Sequence, residues 1–359
     1  MKGLFINNKK AQDSIYESGL MAYKCLLLSN KYQLDYIEVE KENRTIPTGY
    51  DFYFFNFHFQ TMKWLDTAKL KKELNYIVTL VLEVDRNDPF VFCPSNHFHA
   101  YCVLDPTIKK SGVKVYPFPR PLEEINFKLQ VVEHDIPVIG TFGFATRGKG
   151  FHHVVEAVNK EFEKAVVRIN IPYGDFVPDS KEYAAFLGDL CIQKAKKGID
   201  VSVTHNFMSK QELIKWCAYN TLNCFLYDRN MPGLSATTDQ AIVSGKPLSV
   251  SANDTFRHIT AYLKPYPQMS LKESIEKSAV FVKKMQQDWK PEKFAKQFEI
   301  LLIENANQIN KKAFENIKEY TLPLKENESL TNILKKRVKK YYRKLKKLNF
   351  STKQNVKVI

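Results

Sequence analysis

Two stretches of the sequence combine residue types that could hold phosphates. The first, Ile139–Gly150 (IGTFGFATRGKG), is an apolar run leading into a glycine-rich loop. Glycines let the backbone come close to a ligand, and Arg147 and Lys149 put positive charge where phosphates would sit. The spacing matches neither GxGxxG nor GxxxxGK[ST], so nucleotide motifs of those types are not supported, and a plain turn is the alternative. The second is Gly233–Pro247 (GLSATTDQAIVSGKP). Ser235 reads as an N-cap, Gly245 as the left-handed residue past the helix end, and Pro247 as a stop. With Leu226–Gly233 before it, this gives a strand end, a polar loop and a helix N-terminus. Such a layout binds anions through free N–H groups and the helix dipole, or is simply a capped helix of an α/β unit.

These loops need elements to position them, and the hydrophobic pattern supplies a regular alternation. In the first part of the chain, strands are expected at 3–7, 36–39, 51–57, 76–82, 90–93, 100–104 and 113–115. A helix opens at a Ser14-x-x-Glu17 capping box and runs to about Leu28, and a shorter one covers 69–74. Pro117, Pro119 and Pro121 mark a break, with a linker over 122–136. The alternation then restarts. Strands are expected at 138–142, 165–171, 200–204, 222–227 and 247–250, and helices at 152–162 and 181–196, after Ser209-x-x-Glu212 and over 270–289 and 291–319. The expected class is α/β, with parallel sheets in two successive domains and a ligand cleft between them at the carboxyl ends of the strands. The boundaries are 1–121, linker 122–136, 137–320 with closing helices, and a tail over 321–359.

Composition narrows the class further. The chain of 359 residues carries a net charge of +15. Residues 331–359 hold eleven Lys/Arg and no Asp/Glu, which leaves only +4 for the body. A globally basic surface of the kind nucleic-acid binders carry is therefore absent from the sequence, and nucleic acid is not the expected partner. The six cysteines are scattered, with no CxxC pair and no histidines at metal-ligand spacing, so buried reduced thiols in a cytoplasmic protein are expected. No signal peptide is read at Met1-Lys2, and no apolar run is long enough to span a bilayer.

The ordered pair of motifs, IGTFGFATRGKGFHHVVEAV followed by an SxxE-capped helix, a strand and GLSATTDQAIVSGKP, resembles the nucleotide-sugar-binding domain of family-4-type retaining glycosyltransferases of the GT-B fold. The resemblance covers about residues 137–260, and the first 120 residues match the acceptor-side domain in layout only. It implies two Rossmann-type domains facing across a cleft. Gly140, Thr141, Phe142 and Gly143 would line the donor site, and Lys149, helped by Arg147, would pair with the phosphates. Gly233, Leu234, Ser235 and Ala236 would hold the diphosphate through backbone amides. Departure of a nucleoside diphosphate needs charge stabilisation, which cations and helix dipoles can give without a metal or other cofactor.

The sequence also departs from the family. A pair of glutamates is usual across the second motif. Gln240 stands at the later position with Asp239 beside it, and Pro232 at the earlier one with Asp228 and Asn230 nearby. The arginine usual early in the first motif is replaced by Gly143 or Phe144. Asp239 and Asp228 are therefore the carboxylates expected to carry catalytic work, with Glu83 as the contribution of the first domain. Asp85, His97 and His99 after strand ends, Asn7, Asn8 and Ser14 in the first strand–helix loop, and Arg257 and His258 are further candidates, each also readable as an ordinary loop, cap or helix residue.

The tail has its own pattern. Leu334, Val338, Tyr341, Leu345 and Leu348 would form one apolar stripe on a helix, with lysines and arginines on its other faces. Such a helix fits an anionic membrane surface, the protein's own body, or nucleic acid. The expectation is a cytoplasmic glycosyltransferase, peripheral at the inner membrane face, moving a sugar from a nucleotide-diphosphate donor to a cell-surface glycan or glycolipid. The alternative is a non-catalytic GT-B-like protein that binds a nucleotide sugar or a partner.

Overall fold

The computed structural model describes residues 1–9, 13–85, 87–93, 97–110, 114–130, 132–174, 179–229, 233–309 and 318–325. The basic stripe of 331–359, Pro232 and Asn230 lie outside the described residues.

The first sheet uses β1 (Lys2–Asn8), β2 (Gln33–Val39), β4 (Phe52–Phe55), β5 (Tyr76–Val81), β6 (Ala100–Val103) and β7 (Val115–Pro117), with β3 (Thr45–Pro47) outside it. Its order is β2-β1-β4-β5-β6-β7, all parallel. The inner strands β1, β4, β5 and β6 are almost continuously buried because both faces are covered, whereas the edge strand β2 carries Asp35 and Glu38 and is only partly buried. Leu4, Ile6, Tyr53, Phe55 and Ile77 point into one core, and Phe5, Phe52, Phe54, Tyr76 and Val78 into the other. The connecting helices are α1 (Asp13–Leu26), α2 (Thr67–Glu73) and α3 (Pro89–Phe92).

The second sheet orders β8 (Val138–Phe142), β9 (Ala165–Asn170), β10 (Ile199–Thr204), β11 (Leu222–Phe225) and β12 (Leu248–Val250) as β10-β9-β8-β11-β12, again all parallel. Its helices are α4 (Phe151–Glu161), α5 (Ser180–Lys194), α6 (Lys210–Tyr219), α7 (Thr237–Val243), α8 (Arg257–Thr260), α9 (Leu271–Lys277) and α10 (Ala279–Asp288). The chain direction around the sheet reverses between β8 and β11. In open parallel sheets, that switch point is where the loops splay and a ligand crevice opens.

Then α11 (Pro291–Glu304) and α12 (Ala306–Ile309) cross back. Phe294, Phe298, Leu301 and Leu302 join the core of the first sheet, not the second. The Phe298 ring meets Tyr32, Phe52 and Phe54 at 5.6, 5.5 and 5.3 Å. Closing helices expected with the second domain thus close the first, because the unpaired face of β1 and β4 is rich in aromatic rings. β13 (Glu319–Thr321) then pairs antiparallel with β3, where helix had been expected to continue to 319.

Other local expectations need correction. Phe90–Cys93, expected as a strand, follows a helical turn, because Asp88 caps it by accepting from the Phe90 N–H at 2.8 Å and Pro89 presets the first position. Ser14 is not a cap. The helix starts at Asp13, and the Ser14 carbonyl already accepts from the Ser18 hydroxyl. The Ser209–Glu212 box forms as expected, with both reciprocal hydrogen bonds. Cys25, Cys102, Cys191, Cys217 and Cys224 are buried thiols, and burial pushes Cys25 and Cys191 up to about 12. No helix among the described residues is long and apolar enough to cross a membrane.

Candidate active site at the switch point of the second sheet

The loops after β8 and β11 flank the switch point, and side chains join them. Lys149 reaches from the first loop to donate to the Tyr227 hydroxyl at 2.9 Å, its ammonium 4.4 Å from the centre of the Tyr227 ring. Tyr227 donates to Thr237 Oγ1 at 3.2 Å, and Ser235 Oγ lies 3.3 Å from the same atom. Lysine, tyrosine, threonine and serine thus form one chain from the glycine loop to the start of α7. Tyr227 is 2% exposed. Burial alone would raise its phenol, but the Lys149 ammonium and the hydrogen bonds around the hydroxyl bring it below its ordinary value.

Backbone geometry makes this approach possible. Gly150 sits at φ 62° as the residue before α4, and a Cβ there would stand 1.9 Å from the Leu226 carbonyl oxygen. Gly148, at φ 77°, packs against Arg229, and its carbonyl accepts from the Asp228 N–H at 3.1 Å. Only glycine combines a left-handed backbone with so close a contact. Gly143 turns the chain out of β8, with Lys149 Nζ and the Tyr227 hydroxyl beside it.

Both α4 and α7 begin without a side-chain cap. For α7 this corrects the reading of Ser235 as N-cap. Its N–H is committed to the Thr255 carbonyl and its hydroxyl to Thr237, so the cap position passes to Ala236, whose methyl group cannot accept a hydrogen bond. The end of α7 is as expected, with Gly245 left-handed after Ser244.

The remaining donor-loop residues divide by depth. Gly140 lies inside β8, where its missing Cβ makes room for the Asn220 amide. Phe142 is a core ring, 5.7 Å from Trp216 and 5.5 Å from Phe225. Thr141 is buried, and its hydroxyl finds no partner among the described residues. Arg147 is exposed at the loop tip. Gly233, Leu234 and Ser235 are buried in the second loop, Ala236 is exposed, and Gln240 is half-buried on α7.

The three carboxylates are not brought together. Asp239 is gripped by Arg120, which follows β7 at the end of the first domain, Nη2 to Oδ2 at 2.8 Å and Nε to Oδ1 at 3.2 Å. Asp228 is largely exposed at the end of β11 and faces His153 at 3.3 Å. Glu83 stands across the cleft, where a Cβ on Gly233 would come within 3.2 Å of its side chain. His58, 3.9 Å away, holds the Glu83 carboxyl below the usual range, and the charge of Arg229 adds to the effect. Of the three, Glu83 is the one placed directly against the second loop from the opposite domain.

Arg257 and His258 are neither cleft residues nor a surface helix start. Arg257, 5% exposed, ties the domains together: Nε meets Asp105 Oδ2 at 2.7 Å and Nη2 donates to the Val84 carbonyl at 2.9 Å. His258 is fully buried, stacked on Trp289 at 5.5 Å and 3.3 Å from Thr238 Oγ1. Burial, with Arg120 and Arg257 nearby, pushes its imidazole well below the usual value. The folded protein therefore keeps His258 neutral while the unfolded chain takes up a proton below pH 6.5. Stability from this group is complete above that pH and falls as pH drops, by up to about 1.4 kcal/mol per pH unit. His258→Phe is expected to flatten the stability slope between pH 6.5 and about 5, measured by denaturant unfolding. An unchanged slope would refute the assignment.

His99 is structural, its Nδ1 accepting from the Ile77 N–H at 3.0 Å, and His97 stacks on Phe90 at 5.2 Å. Asn7 and Asn8 are buried at the end of β1, where Asn7 Oδ1 accepts from the Asn56 amide at 2.8 Å. Asp85 is exposed. Sequence reasoning missed Tyr227, Thr237, Thr255, Arg229, Arg120 and Asp105. For Tyr227 and Arg229 a signal existed, since Tyr227 ends the expected apolar strand and Arg229 lies two residues beyond it in the second loop.

Two parallel sheets with a cation-bearing switch point define a two-domain Rossmann-type protein. No protein-family model matches the chain, and no curated protein matches it. Solved structures do. HepE of Anabaena in complex with UDP-glucose aligns with a TM-score of 0.54 at 12% identity, over 85% of this chain and 100% of that one. The E. coli trehalose-6-phosphate structure bound with UDP-2-fluoro glucose gives 0.57 at 9% identity, over 87% and 100%. The lipopolysaccharide outer core galactosyltransferase WaaB, in its apo form, gives 0.54 at 12%, over 85% and 100%. At such identities the likeness is one of fold, and that fold is GT-B.

Proposed function

We propose that the protein is a glycosyltransferase that takes a sugar from a nucleotide-diphosphate donor bound at the switch point of the second sheet. The observation that carries this reading is the chain Lys149–Tyr227–Thr237–Ser235, which brings a lysine and two uncapped helix starts to one place. Fixed donors around a departing diphosphate stabilise the charge that develops there, and in a partly buried site they act more strongly than in water. The neighbours solved with UDP-glucose and UDP-2-fluoro glucose, and the galactosyltransferase among them, support a sugar-nucleotide donor. In this reading Lys149 and backbone amides neutralise the diphosphate without a metal or other cofactor, and Glu83 faces the sugar from the acceptor side. Retention of configuration and a family-4-type assignment rest on the motif resemblance. A cell-surface glycan or glycolipid acceptor, in keeping with lipopolysaccharide or capsule synthesis at the cytoplasmic membrane face, would suit the basic tail, whose residues 331–359 lie outside the described ones.

A second reading, a nucleotide-sugar or partner-binding protein without turnover, is favoured by two observations: Asp239 is fully engaged by Arg120, and Gln240 stands where a carboxylate is usual. Incubation with UDP-, GDP- and ADP-sugars separates the two. Nucleotide release that accelerates with acceptor supports the transferase, and thermal stabilisation by a nucleotide without release supports the binder. Neither response to any donor rejects both.

A further inference from the structure

Arg229 is the residue of this cleft that the reading above leaves unused, and its surroundings are built in detail. Its main chain is fixed from both sides, with the Asn253 amide donating to the Arg229 carbonyl at 2.7 Å and Gly148 packed against its Cα and Cβ. A side chain at Gly148 would come 2.5 Å from Arg229 Cβ, so the glycine loop is shaped to receive this arginine. The guanidinium then lies 5.8 Å from the centre of the Tyr227 ring, the ring that also carries the Lys149 ammonium. Nη2 donates to Thr255 Oγ1 at 3.0 Å. Thr255 in turn donates to the Gly233 carbonyl at 2.9 Å and accepts the Ser235 N–H on its own carbonyl at 3.1 Å. The arginine is thereby fastened to both loops at once.

Its remaining donors are not used up. Arg229 makes no ion pair among the described residues, and Nε, although buried, finds no acceptor there. Two cations around one aromatic ring repel each other, and a buried N–H without a partner is left desolvated with nothing to replace its water. Both penalties disappear when an anion with several oxygens enters between them. A guanidinium offers a planar fork that matches phosphate oxygens, while an ammonium acts as a point charge, so the two complement each other on one diphosphate.

We propose that Arg229 is a second phosphate-binding cation of this cleft, holding with Lys149 the diphosphate of a sugar nucleotide. This rests on the reading of the switch point as the donor site. Glu83 stands across the cleft, paired with His58, and the Arg229 charge adds to the effect of His58 in holding its carboxyl below the usual range.

The test is calorimetric titration of the full chain with UDP, GDP and ADP, with inorganic pyrophosphate, and with the corresponding nucleosides. The proteins are the parent, Arg229→Gln and Arg229→Lys, with folding checked by circular dichroism and thermal unfolding. Arg229→Gln is expected to lose about tenfold to a hundredfold in diphosphate and pyrophosphate affinity with nucleoside affinity unchanged. Arg229→Lys, which keeps the charge without the fork, is expected to recover part of the loss. A folded Arg229→Gln protein that binds diphosphate within about twofold of the parent overturns the proposal. So does equal loss toward nucleoside and diphosphate, which marks a purely structural arginine. If Arg229→Gln does not fold, full parental affinity in a chain whose position 229 carries lysine overturns the bidentate role. A parent protein that binds none of the diphosphates fails before any variant is made, and that outcome removes the donor-site reading together with this inference.

Discussion

Lys149→Ala is expected to weaken nucleoside-diphosphate binding by about thirtyfold to a hundredfold and to lower sugar transfer at least as much. A hydrogen bond to a charged phosphate contributes roughly 1.5–3 kcal/mol, and Lys149 also supplies a whole charge close to the switch point. The ammonium is already aimed by the Tyr227 hydroxyl at 2.9 Å and by the face of its ring, so little ordering remains to be done when ligand arrives. Because the lysine is half-buried, its effect is less screened by salt than that of the exposed Arg147. Arg147→Ala should therefore cost several-fold less, and raising the salt should erase its effect first. Calorimetry on both variants at two ionic strengths measures this. Equal losses for Lys149→Ala and Arg147→Ala would show that the loop acts only as a diffuse positive patch.

The largest effect on stability is expected at the tie between the domains. Asp105 and Arg257 are 1% and 5% exposed, and their side chains meet at 2.7 Å. Asp105 Oδ1 is separately held by the Thr107 N–H and hydroxyl, at 2.9 and 2.7 Å. Removing the arginine therefore leaves a fixed, buried carboxylate oxygen without its cation, and leaves the Val84 carbonyl without its donor. Breaking one side of such a pair costs about 3–5 kcal/mol, a large fraction of the stability of most domains. Arg257→Met is expected to show this loss in denaturant unfolding, together with separation of a single transition into two as the domains uncouple. Replacing both partners, Asp105→Leu with Arg257→Met, should recover much of the loss, because the cost lies mainly in the uncompensated charge. A loss below about 1 kcal/mol in the single variant would mean that water reaches the pair.

The Arg120–Asp239 pair shows why some of the site could not be read in advance. Asp239 looked like a replacement for a missing glutamate because it sits beside Gln240 in a recognisable motif. Its actual partner comes from the end of the first domain, 119 positions earlier. In the same way Arg257 and Asp105 are 152 positions apart, and nothing local to either reveals the other. Where the signal is local, the reading succeeds. The residues of β8 are buried without interruption, and its bounds match the expected 138–142. The Ser209–Glu212 box closes a turn within four residues and needs no tertiary help. Phe90–Cys93 misled because a short aromatic run has no period of its own, and the Asp88–Pro89 start decided in favour of a helical turn.

By itself, the sequence determined the two-fold alternation of strands and helices and the two loops that could hold a phosphate. Periodicity, capping and glycine placement act over a few residues, so they are written in consecutive positions. Only the tertiary structure decided which side chains meet. The strand order puts β8 beside β11, although two other strands separate them in the chain, and so places Lys149 against Tyr227. It sends Phe298 back to the first sheet and brings Arg229 to the glycine loop. The stretch GLSATTDQAIVSGKP holds a helix as expected, but its start is left without a side-chain cap because Ser235 is held by Thr255 and Thr237, contacts set by how the loops pack around the switch point.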